Sequence, residues 1–346
     1  MATASMTHPV YTAKLITETD TATTTYTLND VITDLVVAHP KNELAEKVTL
    51  MLANIKVGTQ MLHEIVGIQN RVHVYANTGS GENEVFNGIV WARGFDEDTG
   101  NNEIKLTCYD RLIYFHKSKD NLFVKSGKKT KDILTSFADK WGLKISYNYE
   151  NISHSKLVFH NETIADIFVT ILDEVKKKTG IGYVIRFKNG TIVIEYEGNN
   201  TTVYKIAKGQ NAIKASYVET MEGMVTKVQI VKAETVSKGK SEEETGKYLT
   251  VTSLSNNTAK YGTLQEILVK EKDEELSEVK KEAQKILDEK SKPIEEHDIT
   301  AIDIPWVKKG HQIYIQTNTL TNYYIVKSVE HDALNHTMFL EVERYE

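Results

Sequence analysis

The chain has 346 residues, 40% of them hydrophobic and 26% charged, with four prolines, one cysteine and a formal net charge of −6. That is long enough for two or three domains of roughly 100 to 200 residues each, and the composition is that of a folded globular protein, which excludes a disordered or fibrous chain. The lone Cys108 excludes an internal disulfide, and the net charge gives no global reason to expect specific nucleic-acid binding.

The first twenty residues lack the basic start and the roughly 7 to 15 apolar residues of a secretory signal, so export by that route is not expected. No stretch approaches the ~18 consecutive apolar residues of a membrane-spanning helix, so no membrane partner is expected either. The single cysteine fits folding in a reducing cytoplasm.

From Val10 to Asp110 nearly every segment reads as strand. VYTAKLIT, TTTYTL, VITDLVV, KVTLML, RVHVYA, EVFNGIVWARGF and EIKLTCYD are rich in β-branched and aromatic residues, with turn residues between them. Residues 1–112 form a first β domain. Ile104, Leu106 and Cys108 alternate with Lys105, Thr107 and Tyr109, which predicts a strand with one buried face and a structural role for the thiol. TGSGEN, carrying Gly79, Ser80 and Gly81, reads as a hairpin turn. Lys117, Lys119, Lys125, Lys128, Lys129 and Lys131 then make a local basic cluster, read as a solvated loop.

After Asp110 the period changes. In KTKDILTSFADKWG, Ile133, Leu134, Phe137 and Trp141 fall at helical spacing, with Gly142 as stop. A second helix, in ETIADIFVTILDEVKKKTG, puts Ile164, Ile167, Phe168, Ile171, Leu172 and Val175 on one face and ends at Gly180. In YVIRFKNGTIVIEY, Asn189-Gly190 supplies a type I′ turn that pairs Phe187 with Ile192 and Ile185 with Ile194. Residues 113–206 thus read as an α/β domain.

Strand patterning returns at MVTKVQIVKA, assigned with residues 207–235 and 297–346 to a second β domain. The polar stretch SKGKSEEETGKY is expected as an exposed loop and residues 263–292 as a long helix, together an insertion over 236–296. HQIYIQT, NYYIVKSVE and HTMFLEVERY close the chain as strands.

The two β domains resemble each other. A constant offset of 236 carries Ile89-Val90 onto Ile325-Val326, Asp96 onto Asp332, Ile104 onto Leu340, Leu106 onto Val342 and Tyr109-Asp110 onto Tyr345-Glu346. VHVY at 72–75 matches IYIQ at 313–316 if the following loop is five residues shorter in the second copy. Lys47-Val48 has a weaker echo in Lys227-Val228.

The segment VEHDALNH gathers His331, Asp332 and His336. Two histidines five apart lie about 140° apart on a helix, which excludes helical metal ligation. A two-residue turn at Ala333-Leu334 would set them opposite each other, but Ala-Leu is poor turn chemistry, so a longer loop is expected. The repeat puts His331 on Phe95 and His336 on Gly100, which argues for a repeated connection and against a site. No GxSxG, HExxH, P-loop or CxxC occurs, and no catalytic, cofactor-binding or metal-ligating residue is assigned.

FNGIVWARGF with IKLTCYDRLIYF, the helix KTKDILTSFADKWGLKI, and the C-terminal order DIPWVKKGHQIYI, YYIVKSVEHD, FLEVERY are similar to the XkdQ/YqbQ-like tail hub proteins of prophages and phage-tail-like bacteriocins. Lys309-Gly310-His311 departs from that family's common Gly-Asp, which puts the local turn in doubt. The resemblance implies an α+β protein with two tail-tube-like β-barrels, an intervening α/β domain and a long-helix insertion. It also implies a non-enzymatic homotrimer in the tail baseplate that meets the tail tube or tube-initiator protein, the central spike, other baseplate proteins and the tape measure. A reading from a different class is a tail-associated cell-wall hydrolase, and a third is a carbohydrate-binding module; paired carboxylates have no sequence spacing that would exclude the former.

Overall fold

The computed structural model describes residues 8–19, 22–97, 102–147, 150–238, 241–270 and 275–345. Gly100 and Glu346, used in the sequence repeat, lie outside them. The chain forms two compact units, residues 1–216 with 297–346, and residues 217–296. The described secondary structure is mostly strand with six α-helices, an α+β protein.

The larger unit begins with β1 (Val10–Glu18), β2 (Thr23–Thr27), β3 (Ile32–His39) and β4 (Lys47–Ala53). Alternation drives them: Ala13 and Leu15, Leu35 and Val37, and Val48, Leu50 and Leu52 are buried on one face. A short ribbon, β5 (Lys56–Val57) and β6 (Gln60–Met61), and a single helical turn, α1 (Leu62–Ile65), lead to β7 (Arg71–Asn77), β8 (Glu82–Glu97) and β9 (Asn102–Tyr109). TGSGEN is the β7–β8 turn, where Asn77 Oδ1 accepts from the N–H of Gly79 at 2.8 Å and of Gly81 at 3.2 Å.

The α/β part follows with α2 (Ile113–Lys117), β10 (Lys119–Val124), α3 (Thr130–Lys140), β11 (Lys144–Tyr147), β12 (Leu157–Thr163), α4 (Ile164–Thr179), β13 (Tyr183–Lys188) and β14 (Thr191–Tyr196). Thr163 caps α4 by accepting from Asp166 N–H at 3.1 Å, and Gly180, at φ 76°, ends it. Asn189 and Gly190 both take positive φ, which yields the I′ hairpin with Phe187 opposite Ile192 and Ile185 opposite Ile194. Leu134, Phe137, Ile167, Phe168, Ile171 and Ile194 build this part's own core.

Next come β15 (Tyr204–Ala207) and β16 (Ala212–Thr220). The smaller unit holds β17 (Lys227–Lys238), β18 (Ser241–Ser255), α5 (Thr258–Tyr261), β19 (Gln265–Val269) and α6 (Leu276–Lys290), and the chain then returns through β20 (Ile294–Ile302), β21 (Gln312–Gln316), β22 (Thr321–Asp332) and β23 (Thr337–Arg344).

Three expectations fail in the smaller unit. The polar stretch 237–248 is not a loop: Ser237 pairs with Glu242 and Lys238 with Ser241 in a β17–β18 hairpin, residues 239–240 lying outside the described set. The long helix begins only at Leu276, because Gln265–Val269 alternates with period two and runs parallel to β17. β17 itself was expected in the second β domain but belongs here, where Val228 and Ile230 pack on Val279, Ala283 and Leu287 of α6.

Through residues 212–216 of β16 and 297–302 of β20, the larger unit holds one 13-stranded sheet in the order β16-β20-β23-β22-β3-β4-β9-β8-β7-β1-β2, with β15 and β21 joined through β22. Neither half closes on itself by strand pairing among the described residues. The order is open because the C-terminal end of β22 crosses to β3 instead of returning within its own half: Val329 pairs with His39, Glu330 with Ala38, His331 with Val37 and Asp332 with Val36.

The halves are duplicates. Arg71 faces Ile89 on β7–β8, and Gln312 faces Ile325 on β21–β22, which matches the five-residue shorter loop. Trp91 is skipped in the β8–β9 ladder, and Lys327 is skipped in β22–β23. The second strand of each pair requires a correction to the constant offset. Ala92 faces Thr107 and Ser328 faces Glu341, so the structural counterpart of Leu106 is Leu340 and that of Ile104 is Met338, because the connecting loop is two residues shorter in the second copy. The echo of Lys47-Val48 is also corrected: β4 pairs with β9 as β20 pairs with β23, so Val48 corresponds to His297.

Candidate functional site

The seam where β22 meets β3 holds His331 and Asp332 of VEHDALNH. His331 is buried; its Nδ1 lies 2.6 Å from Asp303 Oδ1 and its Nε2 2.9 Å from the Val307 carbonyl. Tyr11, from the first strand of the first half, donates its hydroxyl to Asp303 Oδ2 at 2.5 Å. Burial, and then the Asp303 carboxylate, push the Tyr11 phenol far above its ordinary value. The seam continues one residue on, where Ala333 N–H donates to the Leu35 carbonyl at 3.0 Å. Both ring nitrogens of His331 are thus engaged within its own half, and Tyr11, through their shared partner Asp303, ties it to the first half.

His336 does not join it. The loop between the paired Asp332 and Thr337 has four residues, as its chemistry leads one to expect, and His331 faces Met338. Asp332 caps that loop by accepting from Asn335 N–H at 2.9 Å. The His336 ring lies 4.9 Å from that of His8 instead. Among the described residues no three His, Cys, Asp or Glu side chains converge as a metal set.

A second buried cluster clasps the two β halves and the α/β part. Lys308 Nζ lies 3.3 Å from Glu46 Oε1 and donates to the Val85 carbonyl at 3.2 Å. Lys309 Nζ donates to the carbonyls of Pro40, Lys41 and Glu43 at 2.7–3.0 Å. Arg186 of β13 donates through Nη2 to the Lys309 carbonyl at 2.5 Å and through Nε to Glu195 at 3.1 Å. Gly310, at φ 82°, fits because a Cβ there would sit 2.9 Å from Val184. The departure at Lys309-Gly310-His311 therefore carries part of the clasp, a role the sequence reading missed because the partners lie far away in the chain, Arg186 123 positions and Pro40 269 positions from Lys309.

The electrostatics follow from desolvation against pairing. Burial raises Glu46, but Lys308, His39 and Arg186 outweigh it and hold the carboxyl down to about 2. Burial keeps His39 well below its ordinary value despite Glu46. Asp110 is pushed up to about 8, by burial first and Glu46 second, and Lys309 is held down to about 8 by burial and then Lys327. A proton-holding carboxyl beside an ionised one is the pattern of an acid–base pair, and Glu46 and Asp110 both border a groove of about 760 Å³. Their hydrogen bonds are structural, however: Asp110 is 5% exposed and its Oδ1 accepts from Leu112 N–H at 2.9 Å, while Glu46 binds Lys308.

The other singled-out residues are spread out. Cys108 is fully buried, and burial raises its thiol. The six lysines of 117–131 are exposed and run from α2 through β10 to the start of α3. No helix among the described residues is long and apolar enough to cross a membrane.

The duplicated sheet, sealed across its repeats and tied to an α/β part, is a fold shared with solved structures of low sequence identity. The same fold occurs in the 43 kDa tail protein of prophage MuSo2 from Shewanella oneidensis, at 12% identity over 97% of this chain and 98% of that one, TM-score 0.65. It recurs in the tail protein from Neisseria meningitidis MC58, at 12% identity over 96% of both chains, TM-score 0.63. The Escherichia coli c3393 protein, a type VI secretion component described as structurally similar to the T4 tail proteins gp27 and gp5, matches at 8% identity over 91% of this chain and 74% of its own, TM-score 0.52. No curated protein matches by sequence.

The family model described as YQBQ-like matches residues 45–343, and the chain belongs to that family.

Proposed function

We propose that the protein is a non-enzymatic baseplate hub of a contractile phage tail or phage-tail-like particle. In this reading it assembles as a trimeric ring around a central channel and joins a sixfold tail tube to a threefold spike. The observation that supports it most is the duplication within one sheet, with matched bulges at Trp91 and Lys327. Two tube-like repeats per chain give three chains six quasi-equivalent surfaces, which suits a sixfold partner on one side and a threefold one on the other. The two halves act as the tube-like domains although neither closes as a barrel by strand pairing among the described residues, and the α/β part between them faces outward or toward other baseplate proteins. Family membership and the shared fold of prophage tail proteins point the same way.

Co-expression with a tail-tube protein and a spike protein of the same particle tests the reading. Co-purification of the chain with both is the expected result. Binding to neither at tens of micromolar, or clearing of peptidoglycan by the purified chain, contradicts it and favours the hydrolase.

A further inference from the structure

The groove that Glu46 and Asp110 border lies wholly within the larger unit. On one side it is lined by Arg71 and His73 of β7 and by Glu84–Ile89 of β8, and on the other by Phe187–Gly190 at the β13–β14 turn. Arg186, Lys188, Glu195 and His311 also line a second cavity of about 320 Å³, which continues the groove past Asn199 and Thr201 to Tyr204 and Trp306. The two together are longer than a single small anion needs.

Its charge is unbalanced toward cations. Arg71, Arg111, Arg186, Lys188 and Lys308 face the carboxyl groups of Glu46, Glu84, Asp110 and Glu195. Those carboxyl groups are already occupied: Glu46 binds Lys308, Glu84 lies 2.6 Å from His73 Nδ1, Glu195 binds both Arg186 and Lys188, and Asp110 holds its proton up to about 8. Arg111 is exposed, and its guanidinium has no ion pair or hydrogen bond among the described residues. Arg71 binds Glu18, which does not line the groove, and its buried Nε meets no acceptor among the described residues. Open main chain lines the groove as well. Along Glu84–Asn87, β8 pairs with β7 on one side and with no strand on the other among the described residues, since its ladder with β9 begins at Ile89. Val85, skipped in the β7–β8 ladder, already gives its carbonyl to Lys308.

We propose that this groove holds an extended acidic segment of a partner protein, its carboxylates on Arg111, Arg71 and Lys188 and its main chain along the open edge of β8. An extended peptide alternates its side chains, so carboxylates can meet the cations while neutral side chains pass Glu46, Glu84 and Glu195. A nucleic-acid strand carries a charge at every phosphate and would meet those three carboxylates with repulsion. The inference goes beyond the hub reading and does not rest on it.

Fluorescence anisotropy of the full-length chain with a labelled peptide of alternating glutamate and threonine, about ten residues or roughly 33 Å long when extended, tests it. Saturable binding at low salt is expected, and the matching lysine–threonine peptide is expected not to bind. The double variant Arg111→Ala, Lys188→Ala removes two exposed side chains and should weaken the binding roughly tenfold or more. Lys128→Ala, at an exposed lysine outside the groove, should leave it unchanged. No saturable binding of the glutamate peptide, binding that the double variant leaves as it was, or equally tight binding of a single-stranded oligonucleotide of the same length overturns the proposal.

Discussion

Trp91 and Lys327 hold the same place in the two halves: each is the single residue skipped in its ladder, and each reaches the α/β part. The Trp91 ring lies 5.6 Å from Tyr114 and packs on the α/β core, and Lys327 binds Glu197, just after β14, at 2.7 Å. A bulge bends a strand and re-aims its side chain, so both repeats use it as the anchor for the same intervening part. The chemistry diverged, one anchor aromatic and one charged, while the backbone device stayed.

Trp91→Ala is expected to destabilise the larger unit by about 2–3 kcal/mol, below the ~3–5 of a fully buried tryptophan since Trp91 is only partly buried. Urea unfolding reads it. A change under about 0.5 kcal/mol would show that the bulge does not anchor the α/β part.

His331→Ala leaves Asp303 and the Val307 carbonyl without their shared partner inside the seam. Each buried group so stranded costs about 1–3 kcal/mol, so a fall in Tm of many degrees is expected. Zinc or EDTA is expected to leave the Tm of the unaltered chain where it is. A zinc-dependent rise abolished by the same substitution would restore the metal reading of VEHDALNH.

Asp110 gives stability a pH dependence. Its folded carboxyl holds the proton up to about 8, against 3.8 as its ordinary value. Between those values the folded state binds more protons than the unfolded one, so this contribution is complete below 3.8 and is lost as pH rises toward 8. Asp110→Asn keeps an acceptor for Leu112 N–H without ionising. Its Tm relative to the unaltered chain should therefore climb from pH 4 to 8 and level off above. A difference that is constant over that range would contradict the shift.

Gly88 sits in the FNGIVW stretch, where an added Cβ would lie 2.3 Å from the Tyr109 carbonyl oxygen and 2.4 Å from Phe86 Cζ. Because the first of these is backbone, Gly88→Ala is expected to cost roughly 1–3 kcal/mol by overpacking. Gly94→Ala, in open space, serves as the control and should change little.

Much of this was legible because it is local. Alternation exposed the strands, Asn189-Gly190 the hairpin, and Thr163 and Gly180 the ends of α4. The offset of 236 found the true partners of β8, bulge included. It misplaced β9 on β23 by two residues because a shift of two leaves an alternating pattern unchanged, whereas a shift of one would have turned every apolar residue outward. Gln265–Val269 was lost inside a charged run that imitates a helix. Lys308 and Lys309 carried no local signal, since their carbonyl and carboxylate partners at 40–46 and 85 are fixed only by the fold.

The mass of the purified full-length chain in solution, by light scattering coupled to gel filtration across a hundredfold range of concentration, tests the hub most directly. A species of three chains that does not grow further with concentration is the predicted result. A monomer throughout, or a mass that rises without limit as an open heterologous chain would, contradicts it.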